Sequence, residues 1–474
     1  MRLIRPLVVL ATAVAALALA VAPATASSSS FAIPPGFRTV AWEKLGTGLD
    51  HVTMRGNYEA HNVHVARLKP DANFALRAVV SRQAISGGLE TTSSMCRRVK
   101  CIAGINGDFF NVSGATAGQT VGGLSIFGQA LRSPTPTHPQ LLIGNDGTVR
   151  AGTDSWKGGI KLADGRGVTL DGVNVALRGG KISLFTAAFG KATRNAKDTT
   201  EIRIRIEQPR PPLQLGTPAR IRFLDIRHIG GAPIPPDGAV IAGNGAGAQA
   251  LDALWWQIKN KHLSPLAELE VSSPHADAIG SIGGSHVLLK DGRRTFQIVP
   301  RGLIQGRHPR TVVGWNKQGE IFLVTADGRR PRSAEGMSLL QITRFMQQMG
   351  ATDAINLDGG GSTTFVTRGR VINQPSGSRE RGVATALVIV PVAPKPKPAA
   401  PAAPVPAPPA PPPVPAEPAP ATAPAAMPAA ITGASRTHGA TSKDHAVAIA
   451  FLMALGSGAA VVRSLFERVN RSYD

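Results

Sequence analysis

The sequence predicts an α+β protein: a β-rich domain of mixed sheet with a few helices, followed by a disordered Pro/Ala stalk and a single C-terminal transmembrane helix. Short β-rich runs alternate with Gly, Asp and Asn turns between residues 31 and 392, where helical periodicity is rare. Beyond that region the composition changes to proline and alanine. The 474 residues, 43% of them hydrophobic, suffice for a sizeable core.

Residues 1–26 have the pattern of a secretory signal peptide. Two arginines precede a mostly apolar run over 7–22, and an Ala-Thr-Ala site ends at Ala26. We expect cleavage after Ala26, and the alternative is an uncleaved membrane anchor. Both interpretations predict an exported domain, at the extracellular face of the membrane or in the cell envelope.

The C-terminal part predicts a stalk and an anchor. Residues 391–430 contain 17 prolines and 15 alanines, a composition that favours extended polyproline conformations over a packed core. We therefore expect a disordered linker over 393–445. Residues 446–462 are 17 positions without a charge, and arginines follow them. As a helix they would span about 25 Å, the short limit for crossing a membrane, and the alternative is a peripheral helix.

The net charge and its distribution exclude some classes of protein and of binding partner. Of the net charge of +22, +2 lies in residues 1–26 and +3 in the last 84 residues, which leaves +17 on the predicted domain. This composition excludes a disordered polyelectrolyte, and the lack of long internal apolar runs excludes a multi-span membrane protein. The basic residues are dispersed and interleaved aromatics are few, which argues against a nucleic-acid partner.

The chain has two cysteines, Cys96 and Cys101. In an exported protein the default for such a pair is a local disulfide. A metal site would need further ligands, and no His or Cys cluster stands nearby in the sequence.

Local patterns place the individual elements. Strands are predicted at 62–68, 74–80, 141–143, 202–206, 287–289, 320–325 and 384–390, with hairpin turns at 145–147, 291–292 and 317–319. A helix is predicted over 338–349, because apolar residues recur on one side and Ser338 with Gln341 forms a capping box. A second helix is predicted over 248–260. The glycines at 243–247 fit a strand–turn–helix junction better than a dinucleotide fingerprint, which would need a βαβ unit.

Residues 354–366 give the strongest signal for chemistry. A strand there would present Asn356 and Asp358 on one face, because side chains two apart point the same way. Gly359–Gly361 would let the backbone approach a ligand, and their N–H groups could hold an anion. The alternative is an ordinary glycine-rich turn.

Two further segments carry candidate residues. Asn106 and Gly107 precede Asp108 and a pair of phenylalanines, which is typical of a pocket wall or of a turn capped by core aromatics. Downstream, Arg310 and Thr311 lead into a strand pair, and the guanidinium of an arginine is a rigid fork for phosphate or carboxylate.

These motifs together resemble the phosphodiester glycosidases. The resemblance is carried by Arg-Thr at 310–311, Ala-Asp-Gly at 326–328, Gly-Met-Ser-Leu at 336–339 and Asn-Leu-Asp-Gly-Gly-Gly-Ser at 356–362. Outside that segment it continues at Asn-Gly 106–107, the glycine turn over 235–247, Gly284 and Arg381. It covers roughly residues 39–390 and is more specific in the second half.

The resemblance implies hydrolysis of a sugar-1-phosphate diester, which releases the sugar and leaves a phosphomonoester. It implies Asp358 as the principal carboxylate with Asp327 as its partner. The expected substrate-binding residues are Asn106, Gly107, Arg310, Thr311, Asn356, Gly359, Gly360, Gly361, Ser362 and Arg381. Asp108 departs from the family pattern, where a small residue is usual, so the resemblance assigns it no catalytic role.

The expected partners combine the resemblance with the composition and the two termini of the chain. A phosphorylated glycan of the envelope is the expected partner, together with a membrane through residues 446–462. The sequence identifies no definite cofactor, and a divalent cation stays an open alternative because carboxylates beside glycine turns can hold Ca²⁺ or Mg²⁺. No ligand count can be made from the sequence. The alternative function is a non-catalytic basic module that binds acidic envelope polymers.

Overall fold

The computed structural model describes residues 31–153, 155–275, 277–295 and 304–392. Three complete α-helices lie in these ranges: α1 Thr92–Val99, α2 Ala246–Asn260 and α3 Leu339–Gln348. The signal peptide, the linker over 393–445 and the candidate anchor over 446–462 lie outside the described residues. No helix within the described residues is long and apolar enough to cross a membrane.

Strands make up most of the described chain. The first fourteen are β1 Phe37–Gly46, β2 Leu49–Gly56, β3 Asn62–Leu68, β4 Phe74–Val80, β5 Glu90–Thr91, β6 Ala103–Asn106, β7 Leu124–Ile126, β8 Gln129–Arg132, β9 Gln140–Gly144, β10 Val149–Gly152, β11 Lys157–Leu162, β12 Gly167–Thr169, β13 Gly172–Val173 and β14 Ile182–Thr186. The others are β15 Thr199–Gln208, β16 Ala219–Arg227, β17 Gly238–Asn244, β18 Leu266–Ser272, β19 Ala278–Gly283, β20 His286–Lys290, β21 Arg293–Arg294, β22 Arg310–Trp315, β23 Ile321–Ala326, β24 Asp353–Asn356, β25 Phe365–Thr367, β26 Arg370–Val371, β27 Gly382–Val383 and β28 Thr385–Pro391.

Four larger sheets organise these strands. Sheet I has the order β1-β2-β3-β23-β22-β24-β20-β21, and sheet II the order β12-β11-β18-β16-β15-β17-β14-β13. Sheet III has the order β26-β25-β6-β28-β4, sheet IV the order β10-β9-β19-β7-β8, and β27 pairs with β5 alone. The pairing is antiparallel except between β13 and β14, which makes sheet II the mixed sheet. The β-rich α+β class predicted from the sequence is confirmed for the described residues.

Buried apolar side chains fall into four clusters. The largest joins sheets I, III and IV through residues such as Ile355, Ile105 and Leu141. A second lies between sheet II and α2, with Ile241 facing Leu251. The helix α3 covers the opposite face of sheet I, and α1 covers the opposite face of sheet III. Sheets I and III therefore share a core, and the residues at their strand ends can meet.

Local sequence signals located the elements well. The predicted strands 62–68 and 74–80 coincide with β3 and β4, and the three predicted turns connect β9 to β10, β20 to β21 and β22 to β23. Helix α3 begins after Ser338, whose side chain and that of Gln341 form the expected capping box. The glycines at 243–247 join β17 to α2, as a strand–turn–helix junction requires. Cys96, in α1, forms a disulfide with Cys101.

Candidate active site

The ends of two strands from different sheets meet at one point. Strand β6 of sheet III ends at Asn106, and β24 of sheet I ends at Asn356. Just beyond these ends, the backbone N–H of Asp358 donates to the carbonyl oxygen of Gly107 at 3.0 Å. The side-chain amide of Asn106 donates to the Asp358 carbonyl oxygen at 2.6 Å. These contacts bring together two segments that the sequence analysis singled out separately.

The Asn106 side chain links the two strand ends through hydrogen bonds. Its side chain is fully buried, and its Oδ1 accepts hydrogen bonds from the Thr311 hydroxyl at 2.8 Å and from the Thr364 N–H at 3.1 Å. The sequence predicts Asn106 and Thr311 as substrate-binding residues; in the structure their side chains form hydrogen bonds within the protein. Their contacts fit a role in holding the Asp358 backbone in place.

The Asp358 carboxyl lies in a buried, charged environment. Burial, together with the charge of Asp108, raises its pKa to about 7. The Ser362 hydroxyl, the Arg381 guanidinium and the Gly359 N–H oppose this rise. The Ser362 Oγ is buried without a partner of full hydrogen-bond geometry among the described residues, so its influence on Asp358 is a weak contact. A carboxyl with a pKa near neutrality can exchange a proton during a reaction at physiological pH.

Asp108 is the second carboxyl of the site. Its Oδ2 accepts from the Thr120 hydroxyl and from the Gly122 N–H, both at 2.6 Å, and its Oδ1 accepts from the Phe109 N–H at 2.8 Å. Burial raises its pKa, whereas these three donors and the charge of His138 favour the ionised form. Two interacting carboxyls titrate as a unit, and the negative charge of Asp108 favours the protonated form of Asp358.

The triple glycine after Asp358 makes room for two arginines. Gly360 has a φ of +57°, a conformation that favours glycine, and the Arg329 guanidinium lies over it. A Cβ on Gly361 would collide with the Arg381 guanidinium. Arg329 and Arg381 are both exposed, so their charges face solvent beside Asp358.

Most of the backbone N–H groups of this turn donate to other groups of the protein. Gly360 donates to the Pro309 carbonyl at 2.9 Å, and Ser362 donates to the Gly359 carbonyl at 3.1 Å. The N–H of Gly359 interacts with the Asp358 carboxyl. The positive charge available to an anion therefore comes from arginine side chains more than from the glycine nest that the sequence predicted.

Asn356 keeps an acceptor that the protein does not use. Its Nδ2 donates to the Ser285 Oγ at 2.9 Å and to the Leu357 carbonyl at 2.8 Å. Its Oδ1 is buried and has no hydrogen-bond partner among the described residues. Ser285 also contacts His286 Nδ1 at 2.9 Å, and burial lowers the pKa of His286, as do the charges of Arg310 and His138. Asn356 thus retains the capacity to accept from a substrate hydroxyl.

Arg310 is anchored to the protein backbone. Its Nε donates to the Met337 carbonyl and its Nη2 donates to the Gly306 carbonyl, both at 2.9 Å. The residue is only 4% exposed. The sequence predicts that its fork binds phosphate; in the structure these two contacts direct it towards two flanking loops, whereas Arg381 is exposed beside the triple glycine.

Asp327 occupies a separate polar cluster. Its Oδ2 accepts from Asn62 Nδ2 at 2.6 Å and from the Gln374 N–H at 3.1 Å, and its Oδ1 accepts from Asn373 Nδ2 at 2.8 Å. Burial raises its pKa, and these donors oppose the rise. His64 Nε2 lies 3.9 Å from Oδ2. The carboxylate predicted as the partner of Asp358 is thus surrounded by groups of the protein itself.

Several residues of the site carried no clear sequence signal. Asp108 departs from the family pattern, Arg329 carries a signal only as part of the Asp-Gly-Arg segment at 327–329, and His138 and His286 belong to no motif with a specific spacing. Among the described residues, no group of three or more His, Cys, Asp or Glu could hold a metal ion, so the Ca²⁺ or Mg²⁺ considered above has no ligand set there.

Part of the chain is similar in sequence to known proteins. Residues 222–390 match the family model described as phosphodiester glycosidase. The mouse (Mus musculus) N-acetylglucosamine-1-phosphodiester alpha-N-acetylglucosaminidase is 42% identical over 67 residues, 14% of this chain and 13% of that protein. The uncharacterized SPbeta prophage-derived protein YomE of Bacillus subtilis is 34% identical over 103 residues, 22% of this chain and 16% of that protein. The chain thus spans a small part of these relatives.

Solved structures share the fold. A hypothetical protein from Synechocystis superposes with a TM-score of 0.60 at 19% identity, over 75% of this chain and 64% of that one. A putative exported protein from Burkholderia pseudomallei superposes with a TM-score of 0.55 at 22% identity, over 72% of this chain and 74% of that one. These similarities support the fold described above and concern the fold alone.

The matched segment contains Asp358, the triple glycine and Arg381, whereas Asp108 comes from outside it. Residues 222–390 of this chain are thus similar to the phosphodiester glycosidase family.

Proposed function

We propose that this protein hydrolyses a sugar-1-phosphate diester, breaking the bond between the anomeric carbon and the phosphate oxygen. The observation that carries this proposal is the buried pair of Asp358 and Asp108 beside the exposed Arg381. Glycosyl transfer passes through an oxocarbenium-like transition state, which a carboxylate stabilises. The diester is an anion, and Arg381 offers it a guanidinium.

Asp358 is the proposed catalytic residue. The phosphomonoester is a good leaving group and departs with the electron pair of the broken bond, so proton donation to it contributes little. In its ionised form, Asp358 stabilises positive charge at the anomeric carbon and accepts the proton of the attacking water. The pKa of about 7 suits this role, because the carboxylate then gains and loses a proton near neutral pH.

Asp108 tunes this carboxyl rather than replacing it. Its charge raises the pKa of Asp358, while Arg381 lowers it. We assign Asp327 to positioning, because its three donors occupy the carboxylate and because Asn373 also contacts the Thr363 carbonyl at 3.3 Å. Asp327 thereby supports the turn that follows Asp358, in place of the partner role inferred from the sequence.

A substrate panel tests the activity. The full chain is incubated with UDP-sugars and with glycosyl phosphodiesters, beginning with α-N-acetylglucosaminyl phosphodiesters because the mouse relative is named for them. We expect free sugar and a phosphomonoester in stoichiometric amounts, and loss of both products in Asp358→Asn. Retained affinity for acidic polymers without any released sugar would support the basic binding module instead.

The location of the activity is proposed from the two termini. Residues 1–26 and 446–462 have the patterns of an export signal and an anchor. We expect the full chain to fractionate with membranes and a chain truncated after Val392 to be soluble and active. Full-length protein found wholly in the culture medium would contradict the anchor, and an insoluble truncated form would contradict the boundary. An envelope glycan that carries sugar phosphates is the substrate expected at this location.

A further inference from the structure

A surface cleft of about 550 Å³ opens beside the candidate active site. Its wall includes Leu89, Phe110, Val112, Ala117, Gly118 and Arg381. Arg381 is the charged residue among the eight that line it, and the remainder of the wall is mostly apolar. We call it the Arg381 cleft. Its volume falls in the range of small-molecule sites, about 300–1,000 Å³.

Arg381 connects this cleft to the catalytic carboxyl. Its guanidinium lies against Gly361 and lowers the pKa of Asp358. The backbone on either side of it is fixed. The Glu380 carboxylate accepts from the Ser93 N–H at 2.8 Å and from the Ser93 hydroxyl at 2.5 Å, and Gly382 pairs with Thr91. A phosphate bound by Arg381 would therefore have the carboxyls on one side and the cleft on the other.

A second connection runs through the loop that forms the opposite wall. Residues 109–121 fold back on themselves, with the Asn111 N–H donating to the Gln119 carbonyl at 2.9 Å and Gly118 packing near Leu89. Thr120 of the same loop donates to the Asp108 carboxylate. The apolar wall and the buried carboxyl are thus parts of one short segment.

We infer that the Arg381 cleft holds the alcohol part of the phosphodiester, and that this alcohol is apolar, an aromatic or alkyl group rather than a charged one. The inference rests on the proposed function, since it assigns the two groups esterified to the phosphate, the sugar and the alcohol, to two different surfaces of the protein. The sugar lies against Asp358 and Asn356, the phosphate lies at Arg381, and the alcohol lies along Leu89, Phe110 and Val112. After the sugar is released, the phosphomonoester still carries the alcohol and leaves through this cleft.

Matched substrates test the inference. The full chain is assayed with the α-N-acetylglucosaminyl phosphodiesters of methanol, benzyl alcohol and 2-aminoethanol. We expect a KM for the benzyl diester roughly tenfold or more below that for the methyl diester, as apolar contacts in a pocket give. The aminoethyl diester should be the poorest of the three, because its ammonium would face Arg381 and an apolar wall.

Two variants locate the effect. Val112 is 62% exposed, so Val112→Asp changes the cleft wall without opening the core. It should raise the KM of the benzyl diester about fivefold more than that of the methyl diester, because it places a charge on the apolar wall. Val40→Asp is the matched control, since Val40 is 45% exposed on β1 and does not line the cleft; it should leave both KM values unchanged.

Binding of the products gives a readout that needs no turnover. Calorimetry should show benzyl phosphate binding the protein about tenfold more tightly than methyl phosphate, with the difference reduced in Val112→Asp. Hydrolysis of all three diesters with equal KM, or equal binding of the two phosphates, would overturn the inference and leave the proposed function standing. A preference for benzyl phosphate without hydrolysis of any diester would overturn the proposed function instead.

Discussion

Asp327 and Asp358 each lie just past the end of a strand in sheet I, yet their surroundings differ. Asp327 follows β23 and its carboxylate accepts three hydrogen bonds from Asn62, Asn373 and Gln374. Asp358 follows β24, and burial raises its pKa to about 7, with the charge of a second carboxyl, that of Asp108, adding to the rise and Arg381 opposing it. The Asp327 carboxylate is surrounded by neutral hydrogen-bond donors, whereas the Asp358 carboxyl is influenced by one negative and one positive side chain.

This difference indicates a structural role for Asp327 and a catalytic role for Asp358. A buried polar group whose hydrogen bonds are all made stabilises one arrangement of the chain. A buried carboxyl beside a like charge is held near its point of titration, and such shifts are typical of functional sites. The two clusters should therefore respond differently to the same substitution.

Replacement of Asp358 should give the largest change in activity. Asp358→Asn should lower kcat by about 10³-fold or more, because the amide cannot accept the proton of water. The enzyme is assayed on a glycosyl phosphodiester beside the control Asp353→Asn, a change at the start of the same strand. Turnover near that of the wild type in Asp358→Asn would contradict the assignment.

The same variant should also be the more stable protein at alkaline pH. A carboxyl whose folded pKa is raised to about 7 contributes stability below its unfolded pKa of about 4 and loses it as the pH rises through 7. Asp358→Asn should therefore gain on the order of 1–4 kcal/mol relative to the wild type at pH 8 and little at pH 4. Denaturant melts at both pH values measure the difference.

Asp327→Asn should act mainly on stability. It replaces an acceptor of three hydrogen bonds by a group with one acceptor oxygen, which should cost roughly 2–4 kcal/mol. Folded protein at low temperature should lose activity only about tenfold, since the turn after Asp358 loses support. A variant with an unchanged melting temperature and no turnover would restore Asp327 as the catalytic partner.

Charges around Asp358 should move its titration in opposite directions. Asp108→Asn removes a repulsive charge and should shift the acidic limb of the kcat/KM profile, near pH 7 in the wild type, to lower pH. Arg381→Gln removes a stabilising charge and should shift it to higher pH. The ratio of kcat/KM at pH 5.5 to that at pH 8 should change roughly threefold in each case. Shifts of the same sign would contradict the charge-balanced pair.

Arg310→Lys should give the smallest effect. Arg310 begins β22, which lies between β23 and β24, and its fork holds the carbonyls of Met337 and Gly306. A lysine keeps the charge but loses the fork, so kcat/KM should fall about twofold. The control Arg307→Lys, at an exposed arginine, should change it little. A rise in KM alone would show that Arg310 contacts the phosphate after all.

Local sequence determined most of the elements. The alternation of β3 and β4, the capping box before α3 and the glycine junction before α2 depend on neighbours within a few residues, so they could be read directly. Helix α1 was missed because its sequence, Thr92–Val99, has few apolar residues, and what fixes it is the N-cap of Thr91 and packing on sheet III. The resemblance to phosphodiester glycosidases predicted Asp358 and Arg381 as residues of the site.

Only the tertiary structure decided which residues act together. The bond from Asn106 to Asp358 joins positions 252 residues apart, and no local pattern specifies such a contact. The choice between Asp108 and Asp327 likewise depended on what surrounds each carboxyl, not on its position in a motif. Local propensity fixes elements through near neighbours, whereas burial and charge at a site are set by chain segments that meet only on folding.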